Sequence, residues 1–385
     1  MKRLAVLFLC ALLAACASAP QSSPPPPLQL FNDELFGSPA KPAHAEDLFA
    51  MSDEMKRYVD VEMAYQLRSR GNQKGLLDAL YNRQQLKLEY DSERTRTAIE
   101  AFDARTGNCL SLVIMTAAFA KYLGLPVSYQ SVYTDETWTR NQDTYFASSH
   151  VNLTLGRRLF DSSSSSDSQR TWTIDFLPPD DLRGQRSRVV EENTIVAMYM
   201  NNRAVESLAA GQLEAAYSWA RAAMERAPEF LSAYNTLGVL YLRRGHPAQA
   251  ELALARVLAH DPVNTIAMAN MVRVLSAQGR AEASRELAAK LARIDPEPPY
   301  HFFDLGQAAM RAGDYTAAHN WFAKEVARAP YQHEFHFWLA MAGYQLGDVA
   351  EARKHLTMAL ETSTTRSNQR LYSAKLDHLK QLGMQ

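Results

Sequence analysis

The sequence predicts an α+β domain followed by an all-α solenoid of paired helices. Three observations carry this expectation. Cys109 to Leu123 is an apolar stretch long enough for a buried helix, and three segments rich in β-branched and aromatic residues follow it. Beyond about Glu191 the pattern is helical, with Pro228, Pro262, Pro296 and Pro330 recurring every 34 residues.

Taken in order, residues 1–15 read as an export leader. Lys2 and Arg3 form a positive start, and Leu4 to Leu13 form an apolar core too short to span a bilayer. The core ends in Leu13-Ala14-Ala15-Cys16, which resembles the lipobox of bacterial lipoproteins. That resemblance implies lipidation at Cys16, and Ala17 rather than Asp behind it implies the outer membrane, with the chain held in the envelope by its lipid. Residues 16–45 include the run Gln21-Ser22-Ser23-Pro24-Pro25-Pro26-Pro27, have little to bury, and read as a tether.

The rest is long enough for two cores, set at 46–190 and 191–385. Apolar residues make up 47% and charged residues 22%, ordinary for a chain with a sizeable core. The net charge of -1 becomes -3 once Lys2 and Arg3 leave with the leader. No concentrated basic face is left for nucleic acid.

Within 46–190, Leu76, Leu77, Leu80 and Tyr81 share one helical face, and a further helix is expected from Thr95 to Phe102. Gly107 stops that pattern, and Cys109 opens the next helix, which ends at Gly124 before Pro126. Strands are expected at Val127 to Tyr133, His150 to Leu155 and Thr171 to Phe176. The serine-rich run Asp161 to Gln169 reads as a loop between the last two.

Of three cysteines, Cys10 leaves with the leader and Cys16 is acylated in this reading, so Cys109 alone is left as a free thiol in an oxidising compartment. Its context, Thr106-Gly107-Asn108-Cys109-Leu110-Ser111, then Ser149-His150-Val151-Asn152 and Trp172-Thr173-Ile174-Asp175-Phe176-Leu177-Pro178, resembles the transglutaminase-like superfamily and its papain-like cysteine fold. The resemblance covers roughly Tyr90 to Pro178. It implies a triad with Cys109 as nucleophile, His150 as acid and base, and Asp175 as the group that orients the imidazole. The backbone N–H of Cys109 is the expected oxyanion donor, with a second donor upstream of the helix. Leu110 stands where animal transglutaminases have tryptophan, which weakens cross-linking as the activity and leaves thiol hydrolysis or acyl transfer on amides.

Aligned on the prolines, Tyr234, Leu237, Gly238, Tyr241, Ala250, Leu254 and Val257 fall at the packing positions of a tetratricopeptide repeat, and Phe302, Leu305, Gly306, Ala318 and Phe322 repeat them. The resemblance implies about five repeats over roughly Ala197 to Thr364. Tyr372, Leu376 and Leu379 mark a capping helix before Gly383. It also implies a concave groove for a protein or peptide partner. Asn201, Asn235, Phe303 and Phe337 are expected to face that groove, with Arg243 and Arg273 adding positive charge for acidic peptide ends.

No cluster has convincing metal spacing, since His333 and His336 lack a third partner, and no cofactor is expected. Two functions from different classes follow: a thiol hydrolase or acyltransferase whose repeats recruit substrate, or an adaptor whose α+β domain carries no catalysis. A peptidoglycan amidase is a weaker third, which rests only on the inferred address and the amide chemistry.

Overall fold

The computed structural model describes residues 28–37, 47–81, 86, 88–91, 94–141, 144–156, 171–176, 186–330, 332–363 and 366–382. The leader, Cys16, most of the tether, the serine run, Pro178 and Gly383 lie outside these residues.

The first part begins with helix α1 (Asp53–Arg57), capped where the Ser52 side chain accepts the N–H of Met55. A π-helical turn over Tyr58–Glu62 leads into α2 (Ala64–Arg70), and α3 (Asn72–Tyr81) follows. Leu76 and Leu80 of α3 enter the core, as the periodicity requires. Tyr81 does not: it is exposed, and its hydroxyl reaches across to Asp175.

Helix α4 (Ala98–Ala104) starts at Thr97 with a reciprocal capping box to Glu100. Its end at Arg105 takes a left-handed turn, φ 56°, after which the short strand β2 (Thr106–Gly107) pairs in parallel with β1 (Glu89–Tyr90). Asn108 then caps α5 (Cys109–Tyr122), in which every residue from Cys109 to Ala120 is buried. An apolar helix with no polar face needs cover on all sides. It receives it from α3, α4 and a sheet.

That sheet has four antiparallel strands in the order β5-β4-β3-β6, with β3 (Val127–Asn141), β4 (Thr144–Leu155), β5 (Trp172–Ile174) and β6 (Arg186–Val190). Strands β3 and β4 form a long hairpin with a register shift between Val132 and Thr137. Both extend beyond the expected segments. Strand β6 was not anticipated: Arg186-Ser187-Arg188 lacks apolar alternation, and the strand is fixed by pairing Val190 with Tyr129 on β3.

From Glu192 the chain is helical: α6 (Glu192–Ala209) with α7 (Leu213–Arg226), α8 (Leu231–Arg243) with α9 (Pro247–His260), α10 (Thr265–Ala277) with α11 (Ala281–Ile294), α12 (His301–Ala312) with α13 (Tyr315–Arg328), and α14 (His333–Gln345) with α15 (Val349–Thr362). Helix α16 (Arg366–Leu382) packs on α15 and closes the stack. Within each pair the turn contains a glycine in the left-handed region: Gly211, Gly245, Gly279, Gly313 and Gly347, at φ between 75° and 85°. A side chain is disfavoured in that conformation, so these glycines hold the 34-residue period as firmly as the prolines do.

One continuous apolar core runs from Phe36 to Leu275, through α5, the sheet and the first repeats. The expected boundary near residue 190 is therefore not a break in the core. Two smaller clusters follow, one around Phe303 and Phe322 and one around Leu356 and Tyr372.

Candidate functional site

The cap of α5 fixes where Cys109 sits. Asn108 Oδ1 accepts the N–H of Ser111 at 2.9 Å and its hydroxyl at 2.8 Å, while Asn108 Nδ2 donates to Thr95 Oγ1 at 2.9 Å. Ser111 Oγ also accepts the N–H of Arg96 at 2.8 Å. A Cβ on Gly107 would stand 2.7 Å from Ser111 Cβ, so only glycine fits beside this cap. These bonds hold the first turn of α5 and put the cysteine at the positive end of the helix.

His150 lies on β4 opposite Val132 of β3, and Asp175 follows the last residue of β5. Pairing of Leu153 with Ile174 brings the two strands into a register that closes the site. His150 Nε2 and Asp175 Oδ1 are 2.7 Å apart. Cys109 is near enough to act on the ionisation of His150. The three residues expected from sequence thus converge, each buried: Cys109 is 9% exposed, His150 4% and Asp175 8%.

Burial alone would pull the imidazole down. The hydrogen bond to the Asp175 carboxylate and the neighbouring Cys109 outweigh it and raise the His150 pKa to about 9. With Nε2 on the carboxylate, Nδ1 is the nitrogen available to the sulfur.

Two supporting residues went unrecognised in the sequence. Asn152, two residues along β4 and hence on the same face as His150, donates Nδ2 to Asp175 Oδ2 at 2.9 Å. Its Oδ1 is buried and has no partner among the described residues. Tyr81 donates its hydroxyl to the Asp175 carbonyl at 2.5 Å and accepts the Asp175 N–H at 3.2 Å. The period-2 spacing from His150 pointed to Asn152, whereas nothing local marks Tyr81.

In the solenoid, Asn201 and Asn235 line a cavity of about 50 Å³ together with Ser232, Thr236 and Asn264. Asn235 Oδ1 accepts Asn270 Nδ2 at 2.9 Å, and Asn201 Oδ1 is buried with no partner among the described residues. Arg243 is exposed at the end of α8 and Arg273 is half-buried on α10.

The two phenylalanines expected in the groove are elsewhere. Phe303 is buried against Phe322, Phe335 and Tyr300, and Phe337 stacks on Tyr372 of the closing helix. Both pack between helices, because repeat interiors need large rings where neighbouring repeats meet. Asn201 and Asn235, the polar members of the same expectation, do meet at one cavity.

The C-terminal part is a tetratricopeptide solenoid: family models of the tetratricopeptide repeat match residues 244–302 and 303–367. The chain is similar to TPR repeat-containing protein YvcD of Bacillus subtilis (strain 168), 27% identical over 154 residues, or 39% of this chain and 32% of that one. It thus spans about a third of that relative's length. Among solved structures it is similar to TTC0263, a thermophilic TPR protein of Thermus thermophilus, at 18% identity over 47% of this chain and 98% of that one, TM-score 0.31. PilF of Pseudomonas aeruginosa gives 19% identity over 50% of this chain and 87% of that one, also at 0.31.

Proposed function

We propose that this chain is an adaptor that holds a protein or peptide partner through its tetratricopeptide solenoid. The observation that carries this reading is the asparagine-lined cavity between the first repeats, where the buried Asn201 Oδ1 has no donor among the described residues. An unsatisfied buried acceptor costs about 1–3 kcal/mol, which a peptide N–H would recover. A photocrosslinker in place of Ser232 should give discrete adducts with an envelope partner, and Asn201→Ala should abolish them. Adducts that persist in that variant would remove the groove from the reading.

A second reading has its own support in the Cys109, His150 and Asp175 cluster. It is that of a thiol hydrolase or acyltransferase of the transglutaminase-like kind, acting on amides. In this reading the proton already rests on His150, Cys109 Sγ attacks an acyl carbon as the thiolate of that ion pair, and the imidazolium gives its proton to the departing amine. A thioester results, which water or a second amine resolves. Asp175 stabilises the imidazolium and keeps Nδ1 toward the sulfur. Asn152 holds that carboxylate, and Tyr81 holds the Asp175 main chain on both its carbonyl and its N–H. The measurement is the rate of Cys109 alkylation at neutral pH, in the chain lacking residues 1–16, against the His150→Ala variant. A fall of tenfold or more, on the order of 1.4 kcal/mol, is expected, and equal rates would leave the adaptor reading alone.

We further propose that Cys16 is lipidated and keeps the chain on the outer membrane facing the periplasm. Among the described residues no helix is long and apolar enough to cross a membrane. Cys16→Ala should move the protein from the membrane to the soluble fraction.

A further inference from the structure

Residues 28–36 lie within the segment that reads as a spacer, yet they are bound in detail by helices nearly two hundred residues away. The N–H of Asn32 donates to Tyr217 Oη at 3.0 Å, and the Tyr217 hydroxyl donates to Asp33 Oδ1 at 2.7 Å. Arg221 Nη1 donates to the other carboxylate oxygen at 2.8 Å. Two backbone carbonyls are also read, Leu30 by the Tyr241 hydroxyl at 2.7 Å and Leu35 by Arg244 Nε at 2.9 Å.

The rings are received as specifically as the polar groups. Phe36 is buried and lies flat on Tyr217, with centroids 4.2 Å apart and planes 3° from parallel. The Arg221 guanidinium stands 5.0 Å from the Phe31 ring and that of Arg244 stands 5.6 Å from Phe36. A spacer needs no partners, because a proline- and serine-rich chain works by length and stiffness alone. Here an acidic side chain, two flanking aromatic rings and the main chain each have a dedicated receiver.

We propose that the surface built by Tyr217, Arg221, Tyr241 and Arg244 is a peptide-recognition site for an acidic residue flanked by aromatics. It is filled in this chain by its own residues 28–36 and opens to a partner protein that carries the same pattern. The resident segment has the advantage of being tethered, at an effective concentration on the order of millimolar, so a free peptide competes weakly until the segment is loosened. The surface is separate from the Asn201 and Asn235 cavity, so its failure would leave the groove reading untouched.

The experiment uses the full chain and a fluorescent peptide of residues 28–37, followed by anisotropy. Asp33→Lys with Phe36→Ala in the chain should raise affinity for the peptide at least roughly tenfold over the unaltered protein, and adding Arg221→Glu should return it to baseline. Equal affinities for altered and unaltered chains, with helical circular dichroism retained, would overturn the proposal, as would tight binding that ignores Arg221→Glu. If the altered chain does not fold, hydrogen exchange of the unaltered chain with excess peptide decides the matter. Faster exchange at the Asn32 amide is expected, and an unchanged rate rejects displacement.

Discussion

His150 is held between opposing forces. Its burial disfavours charge, while a carboxylate at 2.7 Å and the neighbouring Cys109 favour it strongly enough to bring the pKa to about 9. The ordinary histidine value is near 6.5, so the folded state binds the proton more tightly than the unfolded chain. The corresponding stabilisation is fully present below pH 6.5 and is lost as pH rises through 9. Thermal unfolding measured from about pH 6 to 10 should therefore show a melting temperature that falls across this window. In His150→Gln the fall should be shallower. Parallel profiles in the two proteins would mean that the imidazole is not held charged by this pair.

At the scale of the element, helix pairs depend on how closely their axes approach. A Cβ on Gly306 of α12 would stand 2.5 Å from Phe322 Cε1 of α13 and 2.7 Å from Cδ1. The ring is fully buried and already in contact with Phe303 and Trp338, so it has no free direction in which to yield. Replacing glycine by alanine inside a helix ordinarily gains about 1 kcal/mol. Overpacking of a filled core costs about 1–3 kcal/mol, and in this geometry the upper part of that range applies. Gly306→Ala should thus lower the denaturant midpoint, although intrinsic propensity alone predicts a rise. A midpoint that rises would show that the fourth pair has slack which the contact distances deny.

Across the whole molecule, the α+β part and the first repeats behave as one body because they share one core. The join also carries polar contacts at its most consequential point. Thr95 donates its N–H to Glu206 Oε1 at 2.6 Å, and its Oγ1 accepts both Asn202 Nδ2 at 3.2 Å and Asn108 Nδ2 at 2.9 Å. The first solenoid helix therefore braces the residue that caps α5 just ahead of Cys109. Leaving the buried Thr95 N–H without its acceptor costs about 1–3 kcal/mol. Glu206→Ala should speed amide exchange in the first turn of α5, with α14 and α15 unaffected. Native-state exchange is the measurement, and uniform acceleration through the solenoid would contradict a local brace.

How much was legible in the sequence follows from the range of each interaction. Helix periodicity, the proline period, the burial of α5 and the presence of Cys109, His150 and Asp175 in suitable local settings are all short-range properties, and residues within a turn or a strand encode them. The same holds for the cavity asparagines Asn201 and Asn235, which sit one repeat apart. The errors have the opposite character. Tyr81 looked like a core residue because its spacing matched Leu76 and Leu80, but its hydroxyl finds Asp175 from 94 residues away. Phe303 and Phe337 looked available because a helical wheel does not say which face meets the next helix. Strand β6 has little apolar signal and is a strand because β3 offers it an edge. The helices, the repeat and the residue types of the site could be read from the order of residues. The pairing of His150 with Asp175, the seating of residues 28–36 on Tyr217 and Arg221, and the shared core could not, because contacts between distant segments are selected by the packing of the whole chain.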